Sequence, residues 1–580
     1  MPPIEKRDAA RALNEISRYM EIVEENRFKS LAFRKAAAAL EELNGPLGPL
    51  VENGEVERTP GIGKTTARMI AEMAQTGSIA YLDDLRKQFP PTLLDLARVP
   101  GMSWRKVRVL YETMGIATLE ELEKAAREDR LKNVQGFGKK TQENIIEGVE
   151  QFKLIRDQFH LYKAVDAATA VISKLESLQS VSQVVVSGAV RRRLEVVEEI
   201  VICACAADPA AAAKAMIENS IVDSAVLDGT RTVVGSAPSG IPVRVYFCEP
   251  DQRAVTLFTT TGSEAFLQAF AIPAAGKGVS LTEGAAVKSG KPLDLKTEED
   301  LFAAVAVPFV EPELREDGRW LGNPPARLVR RSDLQGAFHV HSTYSDGRDT
   351  LRSMLAAAAE RGFVYVGMSE HSKFAGYAGG LSEERLREAW QEIDQLRPQF
   401  PSLRIFRGTE ADILQNGDVD YGVGTLAQFD FVIASIHNRF KMDHEAMTER
   451  ILRALENPWV TFLGHLTGRK LLSRDPYSID FDRIFETAAR NGVMIEINGS
   501  PHRLDIDWRL MQRALDMGVR FSINPDAHST TELDHLLYGS WHARKGGLVA
   551  EVIFNTRPPE EVEEYFVQRR KRAAAMSGLN

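Results

Sequence analysis

Residues 336–347 read GAFHVHSTYSDG and residues 520–528 read RFSINPDAH. Each couples an apolar, β-prone run to polar groups two residues apart, His339 with His341 and Asp526 with His528. On an extended strand such neighbours share one face, so each pair delivers two side chains to the same cavity. Between and beyond these stretches the same unit recurs. The runs FVYVGM (363–368), RIFRGTE (404–410), FDFVIASIH (429–437), VTFLGH (460–465), GVMIEIN (492–498) and AEVIFN (550–555) alternate with helix-patterned segments. Together with FHVH and RFSINPDAH they make eight expected strands, and strand-then-helix alternation predicts a closed β/α barrel.

In such a barrel the βα loops converge only at the carboxyl ends of the strands. The polar residues follow that rule. His339, His341 and Asp346 close the first strand, His371 follows the second, Glu410, His437 and His465 end the next three, and Asp526 and His528 end RFSINPDAH. A lone histidine is ordinarily a packed or surface residue. Six imidazoles and three carboxylates at one mouth are different, because a buried polar group without a partner costs about 1–3 kcal/mol and an uncompensated charge costs more. One zinc ion takes about four ligands, so nine nitrogen and oxygen donors predict two or three divalent ions; the donor set fits Mn, Zn or Fe, and Mn2+ and Zn2+ are the leading expectation. His444, His502, His535 and His542 lie off the pattern and read as surface or supporting residues, with His502 the first exception to look for.

At 580 residues, 44% hydrophobic and 26% charged, the chain is too long for one core and too apolar for disorder. It contains no run of 18 apolar residues, and its first twenty residues form a charged amphipathic pattern rather than a signal peptide, so the expectation is a cytoplasmic protein with no membrane association. Cys203, Cys205 and Cys248 are too few for a disulfide framework. The net charge is −9, yet residues 1–160 balance 25 Lys and Arg against 25 Asp and Glu. The acidic excess therefore lies further on, which leaves the N-terminal part free to meet a polyanion.

Residues 1–155 carry apolar side chains at helical spacing, interrupted by short Gly/Pro breaks, which predicts an all-α region. Three breaks resemble one another: PGIGK (60–64), PGMSW (100–104) and QGFGK (135–139). A nucleotide-binding phosphate loop is excluded at the first, since Arg58 stands where its leading glycine is required. A helix-hairpin-helix turn fits better. There Gly61, Gly63, Gly101, Gly136 and Gly138 let the backbone approach a DNA phosphate, the following helix aims its amides at it, and Lys64, Lys106, Lys139 and Lys140 add charge. Ser103 replaces the second glycine of the middle turn, whose grip is expected to be the weakest. From about residue 181 the β-rich stretches QVVVSGAV, EEIVICACA, RTVVGS and PVRVYF indicate a small α+β unit.

The stretches FHVHSTYSDG, MSEHSKFAG, GTEADIL, ASIHNRF, GHLTGRKLL, EINGSPHRLD and INPDAHS resemble the motifs of the PHP (polymerase and histidinol phosphatase) domain. With NRFKSLAFRKAA, PGIGK and EPELRED, nearly the whole chain resembles the bacterial family X DNA polymerases that carry a C-terminal PHP domain. The resemblance implies a trinuclear metal phosphoesterase with the nine residues above at its ligand positions, acting on DNA without regard to base sequence. It also implies a multidomain order: a helical DNA-binding domain (1–90), a helical fingers-like region with the second and third hairpins (91–155), a nucleotidyltransferase-like palm and thumb (156–315), a linker (316–335) and a PHP barrel of distorted TIM type (336–580). A monomer is expected.

The same resemblance exposes a departure. Family X palms carry a Gly-Ser motif, an Asp-x-Asp strand and a third Asp that together hold two Mg2+ ions. Aligned through Gly188 and Arg191-Arg192, this chain offers Ala189, then Glu199-Ile200-Val201, then Arg244. One acid in place of three cannot hold two divalent ions, and Arg244 would repel them. Template-directed synthesis is therefore expected to be lost. Met69 stands at the family's lyase lysine, so Schiff-base chemistry is not expected either. The expected activity is DNA repair or processing by a multi-metal phosphodiesterase, as a 3′-5′ exonuclease or at abasic sites and 3′ ends. Lys373, Arg439, Arg469 and Arg503 adjoin the ligand motifs and could stabilise a pentacoordinate phosphate, with Asn438 and Tyr344 as orienting groups. The alternatives are a small-molecule phosphatase resembling histidinol phosphatase, a polymerase with residual activity through Glu199, and a non-catalytic DNA-binding scaffold.

Overall fold

A computed structural model describes residues 6–23, 27–43, 45–282 and 284–578. The first five residues of the amphipathic N-terminus and Asn26 of NRFKSLAFRKAA lie outside these described residues. The chain divides into two compact units, Met1–Asp157 and Gln158–Asn580.

The first unit is helical throughout its described residues. Helices Lys6–Ile22 and Arg27–Glu42 pack along one another and bury Leu13, Ile16, Tyr19, Phe33 and Leu40. Gly61, Gly101 and Gly136 have φ of +96°, +84° and +90°, the left-handed region that a side chain resists, and a helix starts three residues later at Lys64, Trp104 and Lys139. The second position of each turn is conformationally ordinary, with φ −84° at Gly63 and −64° at Gly138. Ser103 fits there without strain and caps its own helix, its hydroxyl accepting from the Lys106 amide at 3.3 Å.

The second unit begins with a five-stranded sheet in the order Val181–Ser187, Ile200–Ala206, Pro242–Cys248, Thr232–Ser236, Asp223–Leu227, antiparallel except where the second and third run together. Ile200–Ala206 is buried on both faces, which explains its unbroken apolar run. A four-phenylalanine cluster, Phe258, Phe266, Phe270 and Phe302, builds the adjoining core.

The barrel follows. Its seven strands are parallel and neighbour one another in sequence order: Gly336–Ala337, Tyr365–Met368, Arg404–Asp412, Phe431–Ser435, Phe462–Leu463, Met494–Asn498 and Phe521–Asn524. A bridge between Val340 and Ala527 joins the first to the last. The eighth expected strand, AEVIFN, shrinks to a single parallel bridge between Ile553 and Phe521, flanked by two short 3-10 turns. Asn555 takes its place. Its side-chain amide donates to the carbonyls of Gly336 (2.8 Å) and Ile523 (2.6 Å), and its oxygen accepts from the Ile523 amide (3.0 Å), so one side chain stitches the edges that an eighth strand would have paired.

The amino-terminal end of the barrel is closed by packed rings: Phe338 stacks on Phe462 and Tyr365, with Phe431 and Phe566 edge-on. Strand glycines make room for this floor. A Cβ on Gly408 would lie 2.1 Å from the Phe431 ring, and one on Gly367 would lie 2.5 Å from it. Gly408→Ala should therefore destabilise the second unit by about 1–3 kcal/mol through overpacking, read as a lower urea midpoint. Trimming the ring in Gly408→Ala/Phe431→Leu should recover part of the loss, and a single variant as stable as wild type would contradict the packing account.

Candidate metal centre

The strand ends bring the nine expected donors to one place. Glu410 is the hub: its carboxylate lies 3.3 Å from His339, 3.6 Å from His341, 3.0 Å from His371, 3.1 Å from His437 and 3.0 Å from His465. Asp526 approaches His339 at 3.4 Å and His341 at 3.7 Å, and Asp346 bridges His371 (3.4 Å) and His528 (3.3 Å). Three overlapping groups with metal-like spacing result among the described residues: His341, Asp346, His371 and His528; His339, His341 and Asp526; and His371, Glu410 and His437.

Burial tests whether cations fit. His339 and His341 are fully buried, yet neither ring nitrogen of His341, nor Nε2 of His339, nor Nδ1 of His465 has a hydrogen-bond partner. Each such orphan costs about 1–3 kcal/mol unless something else accepts its lone pair. Imidazole lone pairs aimed at a shared carboxylate are the donor set of a divalent-ion site. Burial, with the rings of His528 and His371, drives His341 well below the ordinary imidazole range and so keeps it neutral. Burial acts the same way on His437, but Glu410 beside it prevails and pushes it up to about 9. Burial alone would raise Glu410, yet the surrounding imidazoles hold it well below the usual carboxylate range.

Carboxylates that the sequence reading did not assign orient these rings. Glu496, buried in the middle of the sixth strand, meets His339 Nδ1 at 2.6 Å, accepts from the His465 amide at 2.8 Å, and takes the amides of Asn498 and Asn524 at 3.1 Å. Asp412 faces His437 Nδ1 at 3.3 Å. A carboxylate behind an imidazole fixes its tautomer and leaves the far nitrogen as the donor. EIN carried the signal, because Glu496 shares its strand face with Asn498 at a strand end.

A cavity of about 640 Å³ opens over the cluster. Of the four expected phosphate-stabilising cations only Arg503 lines it, with its Nε 3.4 Å from Asp526 and a buried Nη1 that has no partner. Arg469 is instead engaged in structure, bonded to Asp507 (2.9 Å) and to the carbonyls of Arg503 and Leu504. Lys373 pairs with Glu383 outside the lining, and Arg439 is exposed and outside it too. Tyr344 bonds Glu392, and Asn438 accepts from Arg450, so neither faces the cavity. Lys470, Arg474, Arg348, Tyr377 and His535 line it unforeseen, and His502 lines it as the exception the sequence singled out, whereas His444 is bonded to Ser478 and His542 is buried elsewhere.

The sequence matches the helix-hairpin-helix domain over residues 4–79, the SAM-like helix-hairpin-helix tandem over 93–151, the DNA polymerase beta thumb over 256–316 and the PHP domain over 337–500. It is 31% identical to the DNA polymerase/3′-5′ exonuclease PolX of Bacillus subtilis (strain 168), across 97% of this chain and 99% of that one. The chain belongs to the bacterial family X DNA polymerases with a PHP domain. Part of the chain is also similar to a probable phosphatase of Thermoanaerobacter sp. (strain X514), 25% identical over 40% of this chain and 95% of that one, and to a probable phosphatase of Clostridium acetobutylicum, 29% identical over 33% and 77%.

In the palm of this family X chain, Val201 and Arg244 are partners on adjacent parallel strands, and Glu199 stands just before the first of them. The Arg244 guanidinium reaches Glu199 at 3.4 Å and Asp228 at 2.7 Å. Gly188 opens the helical turn Gly188–Arg191, and Arg191 is bonded to Thr261 (2.6 Å) and Glu298 (3.1 Å). Met69 is packed in the helical core, 9% exposed.

Glu496→Gln keeps the shape of the side chain but removes the charge behind His339. Calorimetric Mn2+ titration should give a 10- to 100-fold weaker affinity with unchanged circular dichroism. Wild-type affinity would show that Glu496 does not tune the donors.

Proposed function

We propose that this family X chain is a DNA-processing phosphodiesterase whose chemistry is carried by the PHP barrel, as a 3′-5′ exonuclease or 3′-end and abasic-site processing enzyme, and that its palm no longer polymerises. The convergence of five imidazoles on the buried Glu410 carboxylate, with imidazole nitrogens left without partners and Asp346, Asp526 and His528 beside them, is the observation that carries the reading. His339, His341, Asp346, His371, Glu410, His437, His465, Asp526 and His528 would hold two or three divalent ions, Mn2+ or Zn2+ first. Bound there, such ions lower the pKa of a water from 15.7 toward about 7 and neutralise phosphate oxygens. The protein's own part is orientation and charge. Glu496 and Asp412 fix ring tautomers, and Arg503, whose buried Nη1 lacks any other partner, is placed to bond a phosphate oxygen.

Two observations favour DNA as the substrate. The helices that start at Lys64 and Lys139 have no side chain capping them, so their first amides and Lys64, Lys139 and Lys140 are disposed toward a phosphate beside Gly61, Gly63, Gly136 and Gly138. The middle turn is weaker, as Ser103 takes the Lys106 amide and the Lys106 ammonium bonds the Gly101 carbonyl at 2.8 Å. The named relative over nearly the whole chain is itself a polymerase and exonuclease. Against synthesis stands Arg244, which fills with an ion pair the space that a third carboxylate and two Mg2+ ions would share.

With Mn2+, the wild type should shorten a 5′-labelled oligonucleotide from its 3′ end, while His339→Ala and Asp526→Ala fall to background. The same wild-type preparation, given primer-template and four nucleotides with Mg2+ or Mn2+, should not extend the primer. Robust extension would overturn the inert palm. Hydrolysis of phosphomonoesters with no attack on DNA would return the barrel to the small-molecule phosphatases.

A further inference from the structure

The cavity over the candidate metal centre is not built by the barrel alone, since His160, from the start of the palm, is part of its wall. Its placement is over-determined. Phe159 and His160 pair with Val197 and Val196, and the Leu161 amide donates to the Glu195 carbonyl at 3.1 Å. The Glu195 side chain, 5% exposed, plugs into the barrel, accepting from Trp508 Nε1 and from Arg509, both at 3.1 Å. Nearby, buried Lys545 of the barrel donates to the Arg192 carbonyl at 3.0 Å and to Glu316 at 2.6 Å. The strand pair that carries His160 is thus pinned to the barrel by charge-assisted bonds to the buried Glu195 and Lys545 side chains, the kind that tolerate little slack.

What His160 touches is informative. Its Nε2 lies 3.2 Å from the Leu471 carbonyl, and because a carbonyl only accepts, this nitrogen carries the proton. Leu471 is also held through its amide by the His502 carbonyl at 2.8 Å, while the His160 and Tyr162 rings stand edge-on to the His502 ring at 5.0 and 5.3 Å. Residues 470–474 form a tight turn closed by Lys470 and Arg474, which bond through both backbone groups at 2.8 and 2.7 Å. Both of these cations line the cavity beside Arg503. Burial drives His160 down to about 4, so at neutral pH it is an uncharged donor that adds no repulsion to this basic turn.

We propose that the silent palm is a working part of the nuclease site: His160 is a positioning residue that holds the Lys470–Arg474 turn where it grips a backbone phosphate of a polynucleotide next to the one being cleaved. The inference rests on the phosphodiesterase reading above and deepens it. A small diester ends at the metal centre and has no second phosphate for the turn, whereas a DNA strand does, so the turn converts a general phosphoesterase barrel into one that prefers a polymer. It also gives the palm a function that needs no palm carboxylate.

The test uses the full chain with Mn2+, a single-stranded oligonucleotide and bis(p-nitrophenyl) phosphate. His160→Ala should raise KM for the oligonucleotide about tenfold with kcat changed less than about twofold, narrowing the preference for the oligonucleotide over the small diester by the same factor. The slope of log KM against log salt should fall by about 0.7, the value for one lost phosphate contact on a single strand. His160→Gln, whose amide can still donate to Leu471, should restore both, and Lys470→Ala should reproduce the slope change and add nothing when combined with His160→Ala. An unchanged KM and salt slope in His160→Ala, or parallel losses on both substrates, would overturn the proposal while leaving the nuclease reading intact. A wild type that hydrolyses the small diester but not the oligonucleotide would overturn both.

Discussion

A carboxylate ringed by five imidazoles, as Glu410 is, imposes a constraint that the rest of the barrel must satisfy. Buried ring nitrogens without partners are costly, and a cation that takes their lone pairs would remove that cost. The barrel therefore has to be rigid enough to hold the donors at cation-binding separations. The aromatic floor provides stiffness from below, Glu496 and Asp412 from behind, and Asn555 across the seam between the first and last strands.

The second unit joins this barrel to a palm with the opposite electrostatic character. Where two-metal polymerases concentrate negative charge, this palm sets one glutamate against an arginine, with Asp228 as second partner. Beside the sheet, Glu195 and Arg192 fasten this palm to the barrel through Trp508, Arg509 and Lys545.

Much of this was legible in the sequence, for identifiable reasons. Histidines at strand ends are conspicuous because strand period and barrel topology together fix where they point, so the gathering of these nine side chains at one mouth was legible. Glu496 was passed over, because its one mark, a strand face shared with Asn498, is faint in a run that otherwise reads as an ordinary apolar strand. Arg469 was misplaced for a related reason: it follows a donor motif in sequence, but its guanidinium turns away to Asp507 and the Arg503 carbonyl. The eighth strand failed because AEVIFN has strand composition, while Asn555 meets the backbone bonding requirement from a side chain. His160 was hidden most deeply, because its partner Leu471 lies 311 residues away.

The central claim is that several cations share the Glu410 carboxylate. Anomalous diffraction from crystals grown with Mn2+, recorded at the manganese edge, tests it most directly. The account predicts two or three strong peaks at the mouth of the barrel, at least two of them coordinated by Glu410. A single peak remote from Glu410, or none there while Mn2+ binds elsewhere, would contradict it.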